Sequence, residues 1–239
     1  MPGWTSTSFV KVFVLALPAI VFFARDWAGP AGINPLERLV REPGWWALTF
    51  LLATLAITPL RHAGVRVAKW CGTRWGRRLA DWNWLVRLRR WLGLASFAYA
   101  LAHVAVYATL DLGLQWREFV ADLRAKPFMV AGLAAFVLLI PLAVTSTDAW
   151  MRRLKRNWKR LHWLVYPAGV LAVLHFVWLS KPGVLQPYAY ALALGVLLGW
   201  RVVVHWCSGK SPFWNQEVRR VVDHGNVPIA SSRDQDPCC

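Results

Sequence analysis

The chain has few acidic residues, few cysteines and none of the glycine-rich motifs that bind nucleotides. Only 12 of its 239 residues are Asp or Glu, and the four cysteines, Cys71, Cys207, Cys238 and Cys239, show no CxxC or zinc-ligand spacing. These counts support no disulfide framework, although the terminal Cys238–Cys239 pair is open to lipidation or redox activity as well as to no role. The absence of GxGxxG and P-loop patterns, and of a long polar region, leaves no place for a flavin- or nicotinamide-binding domain. We therefore expect any reductant to be delivered by another molecule.

Apolar residues dominate the rest of the composition. Hydrophobic residues make up 57% of the chain, 17 residues are tryptophan, and the mean hydropathy is +0.36. This composition is typical of polytopic membrane proteins rather than soluble domains. A net charge of +16 would suggest nucleic acid as the partner of a soluble protein, but here its distribution indicates membrane topology. We expect the basic residues to lie against a lipid bilayer and not to bind nucleic acid.

Six apolar runs predict an all-α bundle of six transmembrane helices. About 20 apolar residues are needed to cross a hydrocarbon layer of roughly 30 Å. The first run is compatible with a cleaved signal peptide, but its start is barely basic and no clear cleavage site follows, so a retained helix is expected. Residues 25–44, with Pro43 and Gly44 at their end, are predicted to be a loop. The domain is predicted over 9–206, with a polar cytoplasmic tail over 207–239 and helices at about 9–24, 45–60, 91–110, 128–145, 161–179 and 184–204.

Positive charge alternates between the predicted loops. Residues 61–90 hold nine Lys or Arg against Asp81 alone, and residues 146–160 hold six against one acid, whereas residues 111–127 are balanced. Because basic loops stay on the cytoplasmic side, this pattern places 61–90 and 146–160 inside and both termini in the cytoplasm. The tryptophans of 61–90 indicate that this loop lies along the membrane surface.

Two histidines fall at matching depths in two parallel predicted helices. His103 lies 12 residues past the start of the helix at 91, and His175 lies 14 past the start at 161. At about 1.5 Å per residue these depths agree to within a turn. Neutral imidazoles at one level of a bundle are typical axial haem ligands, although each alone is compatible with a core histidine bonded to a neighbour.

His162 requires a separate interpretation. It lies at the cytoplasmic edge, and on an ideal helix it points about 140° away from His175 unless Pro167 kinks the helix. It is a candidate ligand of a second haem with His62 or His205, a contact for a haem propionate or flavin phosphate, or an interfacial histidine. Nearby aromatic residues are candidates to wall a porphyrin or to face lipid: Phe97, Tyr99, Tyr107, Trp163, Tyr166, Phe176 and Trp178.

Three segments resemble a known family. LVRLRRWLGLASFAYALAHVAVY (85–107), TSTDAWMRRLKRNWKRLHWLVYPAGVLAVLHFVWL (145–179) and ITPLR (57–61) are similar to the MsrQ (YedZ) family, within the ferric-reductase-like transmembrane group. The likeness covers roughly 9–206. It implies a six-helix bundle with haem b, FMN as a further cofactor, and the family histidines at His103, His162 and His175. Ferric reductases and NADPH oxidases carry two histidines on the helix where this chain has only His103, which leaves one haem or two open.

The resemblance also implies a role in electron transfer across the bacterial inner membrane. Electrons would pass from the quinone pool, or from a cytosolic flavin reductase, to the periplasmic molybdopterin subunit MsrP, which itself reduces methionine sulfoxide in oxidised envelope proteins. The chain would then be an electron-transfer subunit rather than the site of methionine sulfoxide reduction.

Two other hypotheses remain open on the residues alone. A stand-alone ferric or cupric metalloreductase would expect metal ligands in the outer loops, yet 25–44, 111–127 and 180–183 contain no His or Cys. A histidine-relay transporter or proton channel would expect carboxylates or broken helices within the membrane, and the predicted helices contain no Asp or Glu.

Overall fold

A computed structural model describes residues 35–73, 75–181 and 183–207 of the chain. Within these ranges the regular structure is helical and no strand occurs, which confirms the all-α fold. The helix predicted over 9–24 and the tail beyond Cys207 lie outside the described residues.

Eight α-helices follow one another along the described chain. A short 3₁₀ helix, Leu79–Trp82, leads into the second, and a π-helical turn, Tyr107–Asp111, extends its far end. The α-helices are α1 Pro35–Trp70, α2 Asn83–Val106, α3 Trp116–Ala125, α4 Pro127–Val144, α5 Asp148–Leu154, α6 Arg156–His162, α7 Val165–Leu179 and α8 Gln186–Cys207.

Five helical segments are long and apolar enough to cross a membrane. They correspond to the five predicted helices that fall on described residues, and several of them extend beyond the predicted bounds into the loops. The segments are Glu37–Trp70, Leu79–Leu110, Pro127–Val144, Arg156–Leu179 and Gln186–Val204.

Helix α1 is much longer than predicted. The prolines that suggested a loop before residue 45 and an exit near residue 60, Pro43 and Pro59, both lie inside it. A proline within a helix removes one backbone hydrogen bond and strains the preceding turn. Here α1 packs along α2, and the close van der Waals contacts of its buried residues, among them Leu51 and Leu55, offset that loss. The prediction of loop structure is therefore wrong for residues 35–44 and for residues 61–70.

The predicted single helix over 161–179 is interrupted. A turn at Trp163 and Leu164 separates α6 from α7, and the N–H groups around it bond three residues back, as in Tyr166 to the carbonyl of Trp163 at 3.1 Å. Pro167 has no N–H to donate to that same carbonyl, which contributes to the interruption of the α-helix here. The ideal-helix angle of about 140° between His162 and His175 therefore does not apply.

The spanning helices pack in two pairs. Helix α1 lies against α2, α4 lies against α7, and contacts of α2 with α4 and of α1 with α7 join the pairs. Leu51, Leu139, Leu142 and Ala168 form the centre of the core. The buried Ser96 hydroxyl on α2 donates to the carbonyl of Ala47 on α1 at 2.8 Å. Such inter-helix bonds satisfy polar groups that water cannot reach in a bilayer.

The chain divides into two units at Leu194 and Gly195, within α8. In the first unit, the start of α8 meets α1, where Tyr190 and Thr49 share a hydrogen bond of 2.8 Å between their hydroxyls. The described part of the second unit, 195–207, is helical, and its Trp206 is exposed.

The direction of the helices gives the first unit two distinct ends. The histidine end is defined by the start of α1, the end of α2, the start of α4 and the end of α7, and it includes helix α3. The basic end is defined by the opposite termini of these helices together with α5 and α6. The described basic residues of 61–90 and 146–160 lie at the basic end, where Arg90 of α2 forms an ion pair with Asp148 of α5.

Candidate functional site

His103 of α2 and His175 of α7 lie next to each other at the histidine end. Their ring centroids are 6.3 Å apart, and the ring planes meet at 70°. The matched depths predicted from the sequence are thus realised as a side-by-side pair. Both rings are partly buried between four helices rather than on the outer surface of the bundle.

The ring of His103 is held by helix α1. Its Nδ1 lies 2.7 Å from the carbonyl oxygen of Val40. Gly44, one turn further along α1, faces the same ring: a Cβ built on Gly44 would lie 3.0 Å from Nδ1 and 3.1 Å from Cε1 of His103. The missing side chain of Gly44 is what lets the ring approach the backbone of α1.

The ring of His175 is held in the same way by helix α4. Its Nδ1 lies 2.7 Å from the carbonyl oxygen of Phe128. Gly132, again one turn further along, would place a Cβ only 2.7 Å from Nδ1 of His175. The ring of Phe128 also lies 6.0 Å from the imidazole, centroid to centroid.

These bonds fix the tautomer of both histidines. A carbonyl oxygen only accepts hydrogen bonds, so the proton of each neutral imidazole is on Nδ1. Each Nε2 then keeps its lone pair, which is the form in which imidazole binds a metal. The arrangement could hold one metal centre between His103 and His175.

His162 lies at the basic end and is held differently. Its Nδ1 bonds the carbonyl of Trp158 on its own helix, α6, at 3.1 Å, and the two side-chain rings are 3.9 Å apart. This bond likewise leaves Nε2 of His162 free, but no second helix sets the position of the ring through it. The structure separates His162 from the pair formed by His103 and His175.

Of the two proposed partners of His162, the structure describes the side chain of one. His62 is half-buried on α1 at the same basic end. The side chain of His205 lies outside the described residues. Pairing of His162 with His62 or His205 in a second metal site stays a prediction.

The aromatic residues proposed to wall a porphyrin are spread over several surroundings. Trp163 and Trp178 are exposed, Phe97 stacks on Phe136, and Tyr99 lies against Phe50. The aromatic ring beside His175 is that of Phe128, which was not among those predicted. Aromatic residue type alone therefore did not identify the ring next to the histidine pair.

A polar cluster lies beside the pair, on the outer side of the histidine end. The Tyr107 hydroxyl donates to Asp122 of α3 at 2.7 Å, and the Lys126 ammonium donates to the same carboxylate at 2.7 Å. The bonds from Lys126 and then from Tyr107 hold the pKa of Asp122 below its usual range. This cluster ties α3 to the π-helical turn that follows α2.

Sequence reasoning missed the groups that position the histidines. Gly44 was interpreted as a loop residue, and Gly132, Val40 and Phe128 were given no role. The available signal was a glycine inside an apolar helix, which costs helix stability and usually has a packing reason. Among the described residues, no group of three or more His, Cys, Asp or Glu side chains could hold a metal ion, so the histidine pair stands as the principal candidate.

Comparison with known proteins gives one family. Residues 43–173, more than half of the chain, match the family described as "Ferric reductase like transmembrane component". This range includes Gly44, His103, Gly132 and His162 and stops two residues before His175.

Curated relatives match over most of their length. The chain is 45% identical over 209 residues to a protein of Xanthomonas euvesicatoria pv. vesicatoria (strain 85-10), covering 83% of this chain and 88% of the relative. It is 48% identical over 170 residues to one of Xanthomonas oryzae pv. oryzae (strain MAFF 311018), covering 71% of each. It is 40% identical over 205 residues to one of Azospira oryzae, covering 84% of this chain and 81% of the relative. Each relative is named "Protein-methionine-sulfoxide reductase heme-binding subunit MsrQ".

Proposed function

Because the chain belongs to the ferric-reductase-like transmembrane family and, within it, to the MsrQ proteins, we propose that it is a multi-pass membrane subunit that binds haem b and carries electrons to a methionine sulfoxide reductase. His103 and His175 would hold the haem iron in this proposal. His162 serves the opposite side of the bundle.

The observation that carries the proposal is the spacing of the histidine pair. Imidazole nitrogens bind a metal such as zinc at about 2.0–2.1 Å, and the ring centre lies about 1.1 Å beyond the nitrogen, so two rings that share one metal can have centroids up to about 6.3 Å apart. The centroids of His103 and His175 are 6.3 Å apart. The chain thus offers two imidazoles, each with a free Nε2, close enough to hold one metal between them.

Other groups near the pair also fit a bound cofactor. The indole N–H groups of Trp45 and Trp46 are buried and have no acceptor among the described residues. Both follow Gly44 directly on α1, beside the turn that holds His103. An unpaired buried donor is costly, so an acceptor supplied by a bound group, such as a carboxylate, would stabilise this region.

The residues of the chain would hold and orient the haem, and the haem would supply the redox chemistry. A haem iron with two histidine ligands takes up and releases one electron at a time. His103 and His175 would hold the iron, and the carbonyls of Val40 and Phe128 would keep both rings in the Nδ1–H tautomer. The four packed helices would exclude water from the site.

The direction of electron flow follows from the charges at the two ends. We assign the basic end to the cytoplasm and the histidine end to the periplasm of a bacterial inner membrane, according to the positive-inside rule. Quinol or a cytosolic flavin reductase is the proposed donor, and a periplasmic MsrP-type molybdopterin reductase is the proposed acceptor. At the basic end, the free Nε2 of His162 is available to a second redox group, FMN or a second haem.

Optical spectroscopy of the purified full-length protein tests the proposal. Protein expressed with ample haem is expected to give b-type bands in a dithionite-reduced minus oxidised spectrum. His103→Ala and His175→Ala should each lose the low-spin spectrum or the haem itself. His162→Ala is the matched control, since it also removes one membrane imidazole, and it should keep the low-spin haem held by the other two.

Two results would contradict the proposal. Wild-type protein without b-type bands would exclude a haem subunit altogether. Full low-spin occupancy in His103→Ala, together with complete loss in His162→Ala, would move the iron to the basic end, where His62 or His205 would be the next residue to replace.

A further inference from the structure

The two histidines are held by the same local arrangement on two different helices. In each case the acceptor carbonyl lies four residues before a glycine, as in Val40 with Gly44 and Phe128 with Gly132. Within an α-helix the N–H of that glycine bonds the same carbonyl. The carbonyl oxygen therefore uses one lone pair within its helix and the other for the imidazole. We call each carbonyl–glycine combination a glycine notch.

The steric measurements show that neither notch has spare room. A Cβ on Gly132 would lie 2.7, 2.9 and 3.1 Å from Nδ1, Cε1 and Cγ of His175. A Cβ on Gly44 would lie 3.0, 3.1 and 3.3 Å from the same atoms of His103. The obstructing atoms belong to a rigid ring with a fixed hydrogen bond, so an added methyl must push the ring away from its carbonyl. The displacement should be greater at Gly132.

We propose that Gly44 and Gly132 are positioning residues for the axial ligands, because they keep the Nδ1–H···O=C bonds of His103 and His175 short. This inference rests on the proposed haem function, and it goes further by assigning the ligand geometry to two residues that never touch the iron. An added Cβ would disturb its histidine more at Gly132 than at Gly44.

The consequence of widening a notch follows from ligand chemistry. Donation from Nδ1–H to a carbonyl fixes the tautomer and makes Nε2 a stronger electron donor. A longer bond makes Nε2 a weaker donor, which favours ferrous over ferric iron. The haem potential should therefore rise, and loss of such a supporting bond costs about 10- to 100-fold in metal affinity in other sites.

The variants Gly132→Ala and Gly44→Ala test the proposal against two matched controls. Gly93, on the same helix as His103, has nothing within 4 Å of an added Cβ. Gly169, on the same helix as His175, would place a Cβ 3.6 Å from Leu194 and 3.8 Å from Leu55, which is ordinary contact. Gly93→Ala and Gly169→Ala therefore make the same chemical change, in the helices that carry the two histidines, without moving a histidine ring.

The first readout is the haem of full-length purified protein. We expect Gly132→Ala to lower haem affinity by about 10-fold or more, or to retain haem with a raised potential and altered low-spin electron paramagnetic resonance g-values. Gly44→Ala should show the same changes to a smaller degree. Gly93→Ala and Gly169→Ala should match the wild type in all three properties.

The second readout needs no haem. In haem-free protein with ¹⁵N-labelled histidine, nuclear magnetic resonance should show the Nδ1–H tautomer for His103 and His175. Gly132→Ala should remove that signature from His175 and leave His103 unchanged, and Gly44→Ala should do the reverse. This measurement separates the proposal from the haem function, because it remains valid in a chain that binds no haem.

Unchanged haem properties and unchanged tautomers in Gly132→Ala would overturn the role of the notches. If Gly132→Ala is not recovered as a folded protein, Gly44→Ala decides the question alone, and wild-type signals there would overturn the proposal. Equal changes in Gly93→Ala or Gly169→Ala would also overturn it, since the effect would then be a general response to alanine. If none of the histidine variants loses haem, the proposed function is refuted instead.

Discussion

The histidines at the two ends of the bundle are held by different kinds of backbone bond. At the histidine end, His103 and His175 each bond the backbone of a neighbouring helix, at 2.7 Å. At the basic end, His162 bonds the backbone of its own helix at 3.1 Å. The first arrangement exists only when four helices are packed, whereas the second needs only a single turn of α6.

This difference indicates that the histidines at the two ends have different roles. A ligand that must hold a metal in one geometry benefits from a support that the whole fold defines. A group that meets an incoming partner or a second cofactor can be held locally. The surroundings agree, since mixed charges lie around the histidine end and the basic end is crowded with Arg and Lys.

The largest expected effect comes from testing on which side each end lies. A periplasm-specific reporter such as alkaline phosphatase should be active when fused within 111–127, at the histidine end. The same reporter fused within 61–90 or 146–160 should be inactive, because basic loops are retained in the cytoplasm. The reverse pattern would exchange the two ends and with them the direction of electron flow.

The comparison of the histidines can be sharpened with double variants. His103→Ala combined with His175→Ala should cost no more haem than either single change, because a haem lost to the first cannot be lost again. Occupancy is measured as the haem-to-protein ratio after purification. In contrast, His162→Ala alone should slow electron uptake from the cytoplasmic side while leaving the haem-to-protein ratio close to that of the wild type.

Added imidazole provides the control for this experiment. In His103→Gly protein it should restore part of the low-spin spectrum by occupying the vacant position beside Val40. The same addition to His162→Gly should leave the low-spin spectrum unchanged. Rescue in both variants would show that the two ends do not differ in the way we describe.

A smaller effect is expected midway between the ends, at Ser96. Ser96→Ala removes the bond to the carbonyl of Ala47 that joins α2 to α1. Inter-helix hydrogen bonds in membrane proteins average about 0.6 kcal/mol, with a maximum of about 1.7. The free energy of unfolding in mixed micelles should fall by an amount in this range, with the haem spectrum unchanged.

Thr109→Ala is the matched control for Ser96→Ala. Its hydroxyl bonds the carbonyl of Ala105 in its own helical segment at 2.7 Å, and the residue is exposed. It should change stability less than Ser96→Ala does. An equal loss would mean that the bond between helices contributes nothing beyond a local one.

The smallest effect is a pH dependence at Asp122. Its pKa is lowered in the folded protein, so its contribution to stability is present above the ordinary carboxyl value of about 3.9 and is lost as the pH falls through the lowered value. The hydrogen-exchange protection of α3, measured against the intrinsic amide rate at each pH, should therefore fall at acid pH in the wild type. Asp122→Asn should remove this pH dependence, and Tyr107→Phe should reduce it. Identical acid profiles in wild type and Asp122→Asn would exclude the effect.

Sequence patterns predicted the parts of this fold that depend on hydrophobicity and charge. The spanning helices on described residues follow from long apolar runs, and the pairing of His103 with His175 follows from their matched depths along parallel helices. Both predictions depend only on which residue type occupies each position, and this can be read directly from a sequence.

The features that were missed depend on contacts between distant segments. Pro43 and Pro59 suggested helix ends, but packing of α1 on α2 outweighs the local cost of each proline. The notches at Gly44 and Gly132 exist only because an imidazole from another helix lies over each glycine. No local propensity distinguishes these glycines from Gly93, which has open space around it.

Helix α4, which supports His175, begins with proline. Pro127 is its first residue, so the acceptor carbonyl of Phe128 lies in the first turn. The first turn of a helix is where fraying costs least, and fraying there would release the imidazole bonded to it. A proline with its backbone φ already fixed loses less conformational entropy on joining the helix, which opposes that fraying. We therefore expect the small chain entropy of this one residue, at the edge of the fold, to contribute to the rigidity of His175.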